Sequence, residues 1–186
     1  MPSSERREQL LDVTGELILK HGLNSFTMET LTREAGVSKP LAYKYFATRL
    51  ELLQALLLRE HKNYYDRLEN EVSLAENYTE VMRIMVESNF KRASGQDLIK
   101  TLRDQSDVDA ALLPILAKSG NRIGDLLIRL FLQEFDVKPA LARRIVRMAS
   151  GASLEAAQRH KIHGGNQKQQ IDETVRFIFG GIKAFL

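Results

Sequence analysis

Residues 28–46 read Met-Glu-Thr-Leu-Thr-Arg-Glu-Ala-Gly-Val-Ser-Lys-Pro-Leu-Ala-Tyr-Lys-Tyr-Phe. Two short helical segments meet here at a tight turn on Gly36. Leu31 and Ala35, four residues apart, share the inner face of the first, Val37 plugs the turn, and Phe46 closes the far end. Thr27 can cap the first helix and Glu29 suits its first turn. Ser38 can cap the second, where Pro40 is tolerable because first-turn amides have no intrahelical partner. A unit built this way presents its second helix outward, with Ser38, Lys39, Leu41, Tyr43, Lys44 and Tyr45 as the exposed candidates. That helix is short enough to enter a major groove about 12 Å wide. The Ser38 hydroxyl and the free amides beside it can hold a phosphate oxygen. Helix–turn–helix units also serve packing alone, and spacing does not separate the two uses.

Outward from this stretch, apolar residues recur at steps of three and four, the pattern of an all-α protein. Leu10, Leu11, Thr14, Leu17 and Ile18 line one face of a first helix that should stop at Gly22. Thr48 offers a cap for a long helix over 48–73, with Leu53, Leu57, Tyr64, Leu68 and Val72 along its stripe. Later breaks predict helices near 77–93, 96–105, 109–135, 138–162 and 167–185, about nine in all. Pro114 predicts a kink or a late start within the 109–135 segment. The long fourth helix is expected to join the N-terminal three-helix unit to the rest.

Composition removes several function classes. The 186 residues include no Cys, which excludes thiol nucleophiles, iron–sulfur clusters and Cys-based zinc sites. The longest uncharged stretches, His21 to Met28 and Ala110 to Ala117, are eight residues, far short of the ~20 that span a bilayer. No membrane partner and no leader peptide are expected, and a cytoplasmic location is. The formal net charge of +3 does not point to DNA, because residues 1–50 carry seven basic and six acidic groups. Most of the surplus lies in residues 75–186, with seventeen and thirteen.

From Gln9 to Leu57 the chain resembles the tetracycline-repressor-like (TetR/AcrR-type) bacterial transcription regulators. The resemblance is carried by a first helix ending in His21-Gly22, by Phe26-Thr27-Met28, and by the Leu31…Ala35-Gly36-Val37-Ser38-Lys39 turn. Tyr43-Lys44-Tyr45-Phe46 and Leu50 to Leu53 complete it. It implies a DNA-binding domain over 1–47 and a regulatory domain over 48–186 that dimerises and usually binds a small-molecule inducer. Carried over by position, Lys39 and Tyr45 resemble phosphate contacts, Tyr43 a packing aromatic that reaches the backbone, and Lys44 a base-edge reader. Thr27 resembles a cap close to the DNA backbone. Two departures stand out. Pro40-Leu41-Ala42 replaces the usual small–polar–Leu order, so Leu41 either meets a thymine methyl or joins the core. Thr48-Arg49 replaces a common Ser-Lys pair, leaving Arg49 as a further phosphate contact. The function implied is a repressor, active at the nucleoid and released from a palindromic, double-stranded operator by an inducer. A constitutive or partner-controlled regulator is the alternative.

In the last helix Ile171, Val175, Ile178, Ile182 and Phe185 step by four, three, four and three, a seam that wants another helix. Leu141, Ile145, Met148 and Ala152 mark a matching face on the helix before it, with Ala149-Ser150-Gly151-Ala152-Ser153 all small. Packing within the chain accounts for part of both stripes. The resemblance favours a homodimer interface from Leu141, Ile145, Ala149, Ala152, Ile171, Val175, Ile178 and Ile182. Met82, Met85, Phe90, Leu127, Phe131 and Met148 are either plain core or the lining of an adaptable apolar pocket. Arg143, Arg144 and Arg147 suit an anionic inducer or a solvated helix face. An enzyme reading rests on a metal site at His160 and His163 with Glu155, one turn apart. No phosphate loop, nucleophile elbow or carboxylate pair supports it, so no catalytic residue and no cofactor are expected.

Overall fold

Two glycines set the geometry at the N-terminus. In the computed structural model, which describes residues 3–95, 97–115 and 122–186, helix α1 (Ser3–His21) ends where Gly22 turns to φ 81°. Helix α2 (Met28–Ala35) ends where Gly36 enters the left-handed region at φ 63°. A side chain with a Cβ is strained at both positions, which is why the helices break there and not a residue earlier. A short 3-10 turn (Leu23–Ser25) leads into α2, and α3 (Lys39–Tyr45) follows the Gly36 turn. Helix α4 (Arg49–Ser73) is continuous, as its stripe predicts.

The chain forms two compact units, Met1–Tyr64 with Asp97–Lys118, and Tyr65–Gln96 with Ser119–Leu186. The first unit therefore takes in more than the 1–47 segment read from the motif. Its core gathers Leu10, Leu11 and Ile18 from α1, Leu31 from α2, Ala42 from α3 and Leu52, Leu53, Leu56 and Leu57 from α4. Each fully buried Leu contributes about 1.5–3 kcal/mol, so this face dominates the stability of the unit. Helices α6 (Leu98–Arg103) and α7 (Ser106–Asp109) add Leu102 and Val108 to the same core. Gln54 on α4 donates to the Asp107 carbonyl at 2.8 Å, tying that returning segment down. Arg59 reaches back from α4 to Glu8 at 3.2 Å and Asp12 at 2.7 Å on α1, with Glu60 at 2.8 Å.

The second unit packs the end of α4 with α5 (Tyr78–Ser94), α8 (Arg122–Glu134), α9 (Pro139–His163) and α10 (Gln167–Lys183). Helix α5 is the centre, touching each of α8, α9 and α10. Buried Asn89 donates to Ser153 Oγ at 2.9 Å between α5 and α9, satisfying both polar groups inside the core. Arg83 on α5 meets Asp172 on α10 at 2.8 Å across the surface.

The sequence predicts one helix over 109–135; among the described residues the α-helix instead gives way to a 3-10 turn at Ala110–Leu112, and α8 covers Arg122–Glu134. Residues 113–115, with Pro114 among them, are helical, and residues 116–121, on which the expected kink or late start depends, lie outside the described residues. No helix among the described residues is long and apolar enough to cross a membrane.

Candidate nucleic-acid interface

The outward face of α3 is set by what the inward face buries. Ala42 and Phe46 are sealed, Leu31 closes beneath them from α2, and Val37 is half-buried in the turn. The helical repeat then leaves two exposed rows, Lys39 with Tyr43 and Pro40 with Lys44. Leu41 and Tyr45 form a third, half-buried row, and Tyr45 leans on the core of the unit. Leu41 is not part of that packing, so its side chain borders the exposed face. Helix α3 carries no carboxylate, and Lys39 and Lys44 make no ion pair among the described residues. Their ammonium groups stand in solvent as unpaired charges, free to meet phosphate oxygens or base edges.

The frame around this face is held by hydrogen bonds. Thr27 Oγ1 accepts from the Thr30 amide at 3.1 Å, and Thr30 Oγ1 accepts from the Thr27 amide at 3.0 Å. This reciprocal cap, with Thr30 as its second member, escapes a reading that looks for Glu or Gln there; the Thr-x-x-Thr spacing is the signal that reveals it. Ser38 caps α3 loosely, its Oγ accepting from the Leu41 amide at 3.4 Å. The Val37 amide donates to the Thr32 carbonyl at 3.1 Å and locks the turn.

Arg49 has a different place from the one expected. Its Nε donates to the Phe26 carbonyl at 3.1 Å and its Nη2 to the Leu23 carbonyl at 3.0 Å, with the guanidinium 5.7 Å from the centre of the Phe26 ring. These bonds brace the turn that delivers Thr27, so two of its three nitrogens are turned away from any phosphate. Arg7 lies over the Phe46 ring at 5.0 Å, a contact the sequence did not suggest.

The other expected sites fare unevenly. Met82, Phe90, Leu127 and Phe131 are buried in the second unit and Met85 is half-buried, but Met148 is 53% exposed on the outer side of α9 and cannot join them. A cleft of about 480 Å³ in this unit is lined instead by Glu69, Val72, Ile123, Asp125, Leu126 and Arg129. Five of the eight residues expected at the dimer seam turn inward instead. Ile145, Ala149, Val175, Ile178 and Ile182 are buried inside the protomer, and Leu141, Ala152 and Ile171 are half-buried. The seam does find a helix partner, but α9 and α10 present it to each other and to α5. What these helices expose is Met148, Leu154 and Phe177, with Phe185 just past the end of α10, so two residues expected on the seam stand outside it; Gly151, Gly180 and Gly181 open onto free space.

Arg143, Arg144 and Arg147 are exposed on α9. His160 Nδ1 lies 2.8 Å from Gln170 Oε1, so it closes the α9–α10 turn, while His163 is exposed. No group of three or more potential metal ligands occurs among the described residues.

Comparison with known proteins agrees with this geometry. Residues 10–56 match the model of the bacterial regulatory proteins of the tetR family. The transcriptional activator FasR of Mycolicibacterium smegmatis is 32% identical over 90 residues, covering 48% of this chain and 41% of that protein. The matched stretch thus spans less than half the length of FasR. The transcriptional repressor KstR of Rhodococcus jostii is 30% identical over 184 residues, covering 95% of this chain and 84% of that protein. A TetR-like transcriptional regulator from Rhodococcus sp. RHA1 shares the fold, with a TM-score of 0.69 over 98% of both chains at 19% identity. These similar proteins are regulators and not enzymes. The chain belongs to the tetR family of bacterial regulatory proteins.

Proposed function

We propose that the chain is a dimeric repressor that reads a palindromic DNA operator with α3 and leaves it when a small molecule occupies the second unit. The observation that carries the DNA reading is the acid-free face of α3, on which Lys39, Pro40, Tyr43 and Lys44 stand exposed over a sealed Ala42 and Phe46. Lys39 and Tyr43 contact phosphate, Lys44 donates to guanine O6 or N7, and Leu41 meets a thymine methyl at the edge. Thr27, Ser38 and Tyr45 set the register of this face on the backbone. Repression is favoured over activation by the similarity to KstR along nearly the whole chain, whereas the match to FasR covers only about half of it.

Two copies associate through the outer face of α9 and α10. Phe177 is 73% exposed there, and the open glycines 151, 180 and 181 let a second pair of helices approach closely. The two α3 helices then address successive major grooves about 34–36 Å apart. Ligand binding in the second unit favours a dimer of the wrong spacing, the change passing along α4. Moving occupancy from 99% to 1% requires about 5.5 kcal/mol of differential affinity. In the cell such a protein works in the cytoplasm on the nucleoid.

The test is a pair of substitutions measured on a selected duplex and on random DNA. Lys39→Ala weakens both nearly equally and lowers the salt dependence, while Lys44→Ala narrows the gap between them by about 1–3 kcal/mol. Identical effects of the two substitutions on both DNAs would rule the assignment out.

A further inference from the structure

Tyr78 opens α5 with its side chain fully buried in the second unit, and its hydroxyl finds no hydrogen-bond partner among the described residues. Folds rarely leave a buried hydroxyl in that condition, and each such group calls for an explanation. Here the surroundings suggest one. The Tyr78 ring stands edge-on to Phe131 at 4.9 Å, Phe179 at 6.0 Å and Phe135 at 6.3 Å between centroids. Phe131 is sealed, while Phe135 and Phe179 are half-buried, so this aromatic cage has both sealed and partly exposed members. Glu134 Oε2 accepts the Tyr78 amide at 3.1 Å, bringing a carboxylate to the same corner. Burial first, and then that carboxylate, push the phenol above its usual value, so the group stays a protonated donor. The same negative charge disfavours an anionic guest.

We propose that Tyr78 Oη is the polar anchor of a ligand site within this aromatic cage, for a neutral, largely apolar molecule bearing one hydrogen-bond acceptor, such as a ketone. This rests on the second unit being the ligand-responsive part and adds the chemistry of what it takes. Phe131, Phe135 and Phe179 supply the apolar walls, and the carbonyl of the guest satisfies the orphan hydroxyl. Selectivity follows, since a guest of the same shape without an acceptor leaves the hydroxyl unpaired.

The probes are acetophenone and ethylbenzene, which share a shape and differ in the carbonyl. With the full chain, calorimetric titration should show acetophenone bound about tenfold more tightly than ethylbenzene. Tyr78→Phe should bind the two equally, and its melting temperature without probe should match or exceed that of the native chain. Absence of any preference for the ketone in the native chain overturns the proposal. So does a clear loss of stability in Tyr78→Phe, which would mean that the hydroxyl already has a partner. DNA binding is measured on the same samples without probe. Intact DNA binding with no ketone preference sinks the Tyr78 site alone, while a ketone preference in a chain that ignores DNA sinks the regulator reading alone.

Discussion

Arg49 separates two accounts of the DNA-reading unit. If it braces the turn before α2, its value lies in two charge-assisted hydrogen bonds to the Phe26 and Leu23 carbonyls, at 3.1 and 3.0 Å. Bonds of that kind are each worth about 1.5–3 kcal/mol when sheltered. Arg49 is exposed, so solvent screening brings the pair down to about 1–3 kcal/mol. For a chain of this length, a loss of about 2 kcal/mol lowers Tm by roughly 4–8 °C. Arg49→Lys is the informative substitution, because it keeps the charge but cannot present two donors in a planar fork. Thermal unfolding should show most of the Tm loss in Arg49→Lys as well as in Arg49→Met. Affinity for a selected duplex should fall in both while its salt dependence stays unchanged. A phosphate-binding Arg49 gives a different result. Each subunit of the dimer would then leave one phosphate unneutralised in Arg49→Met, which reduces the log–log salt slope by about 1.8, and Lys restores it. Native-like Tm in both variants, together with a reduced slope in Arg49→Met alone, would refute the bracing role.

Neighbouring residues on α10 should behave oppositely. Phe177→Asp, at a position 73% exposed, should convert dimer to monomer in sedimentation while leaving the helical signal intact. Ile178→Ala, at a position 4% exposed, should cost about 2–5 kcal/mol of stability, as read by denaturant unfolding. Asp172 is held below the ordinary aspartate range, chiefly by its hydrogen bond to Arg83. Its folded-state value lies below the unfolded one, so its stabilising effect is present at neutral pH and lost as pH falls through the lowered value. Asp172→Asn should therefore lower Tm at pH 7 and leave it unchanged in strong acid, as read by thermal melts across pH.

Much of the first unit is legible in its residues because local rules act within a few positions. Thr27, Ser38, Gly22 and Gly36 mark helix ends through their own backbone or side-chain chemistry, with no help from distant parts of the chain. The exposed candidates on α3 follow from counting along one helix. Tyr45 is harder, since its half-buried position depends on the core against which α3 lies. The 109–135 segment reads as one continuous helix because its apolar residues keep a helical rhythm on both sides of Pro114. Rhythm does not show where the α-helix gives way to a 3-10 turn, as it does at Ala110–Leu112.

By itself, then, the sequence determined the helical class, the helix–turn–helix and the group of residues that face outward from α3. These follow from propensity, capping and the 3.6-residue repeat, all of which act over one or two turns. The tertiary structure alone decided which partner each apolar face meets. The stripe through Val175, Ile178 and Ile182 demanded a helix, and both a second copy and α5 could answer; burial within the protomer gave it to α5 and α9. Likewise the donors of Arg49 went to carbonyls 23 and 26 residues away, and Tyr78 came to rest among rings from α8 and α10. Periodicity records that a face must be covered, but what covers it depends on contacts far apart in the chain.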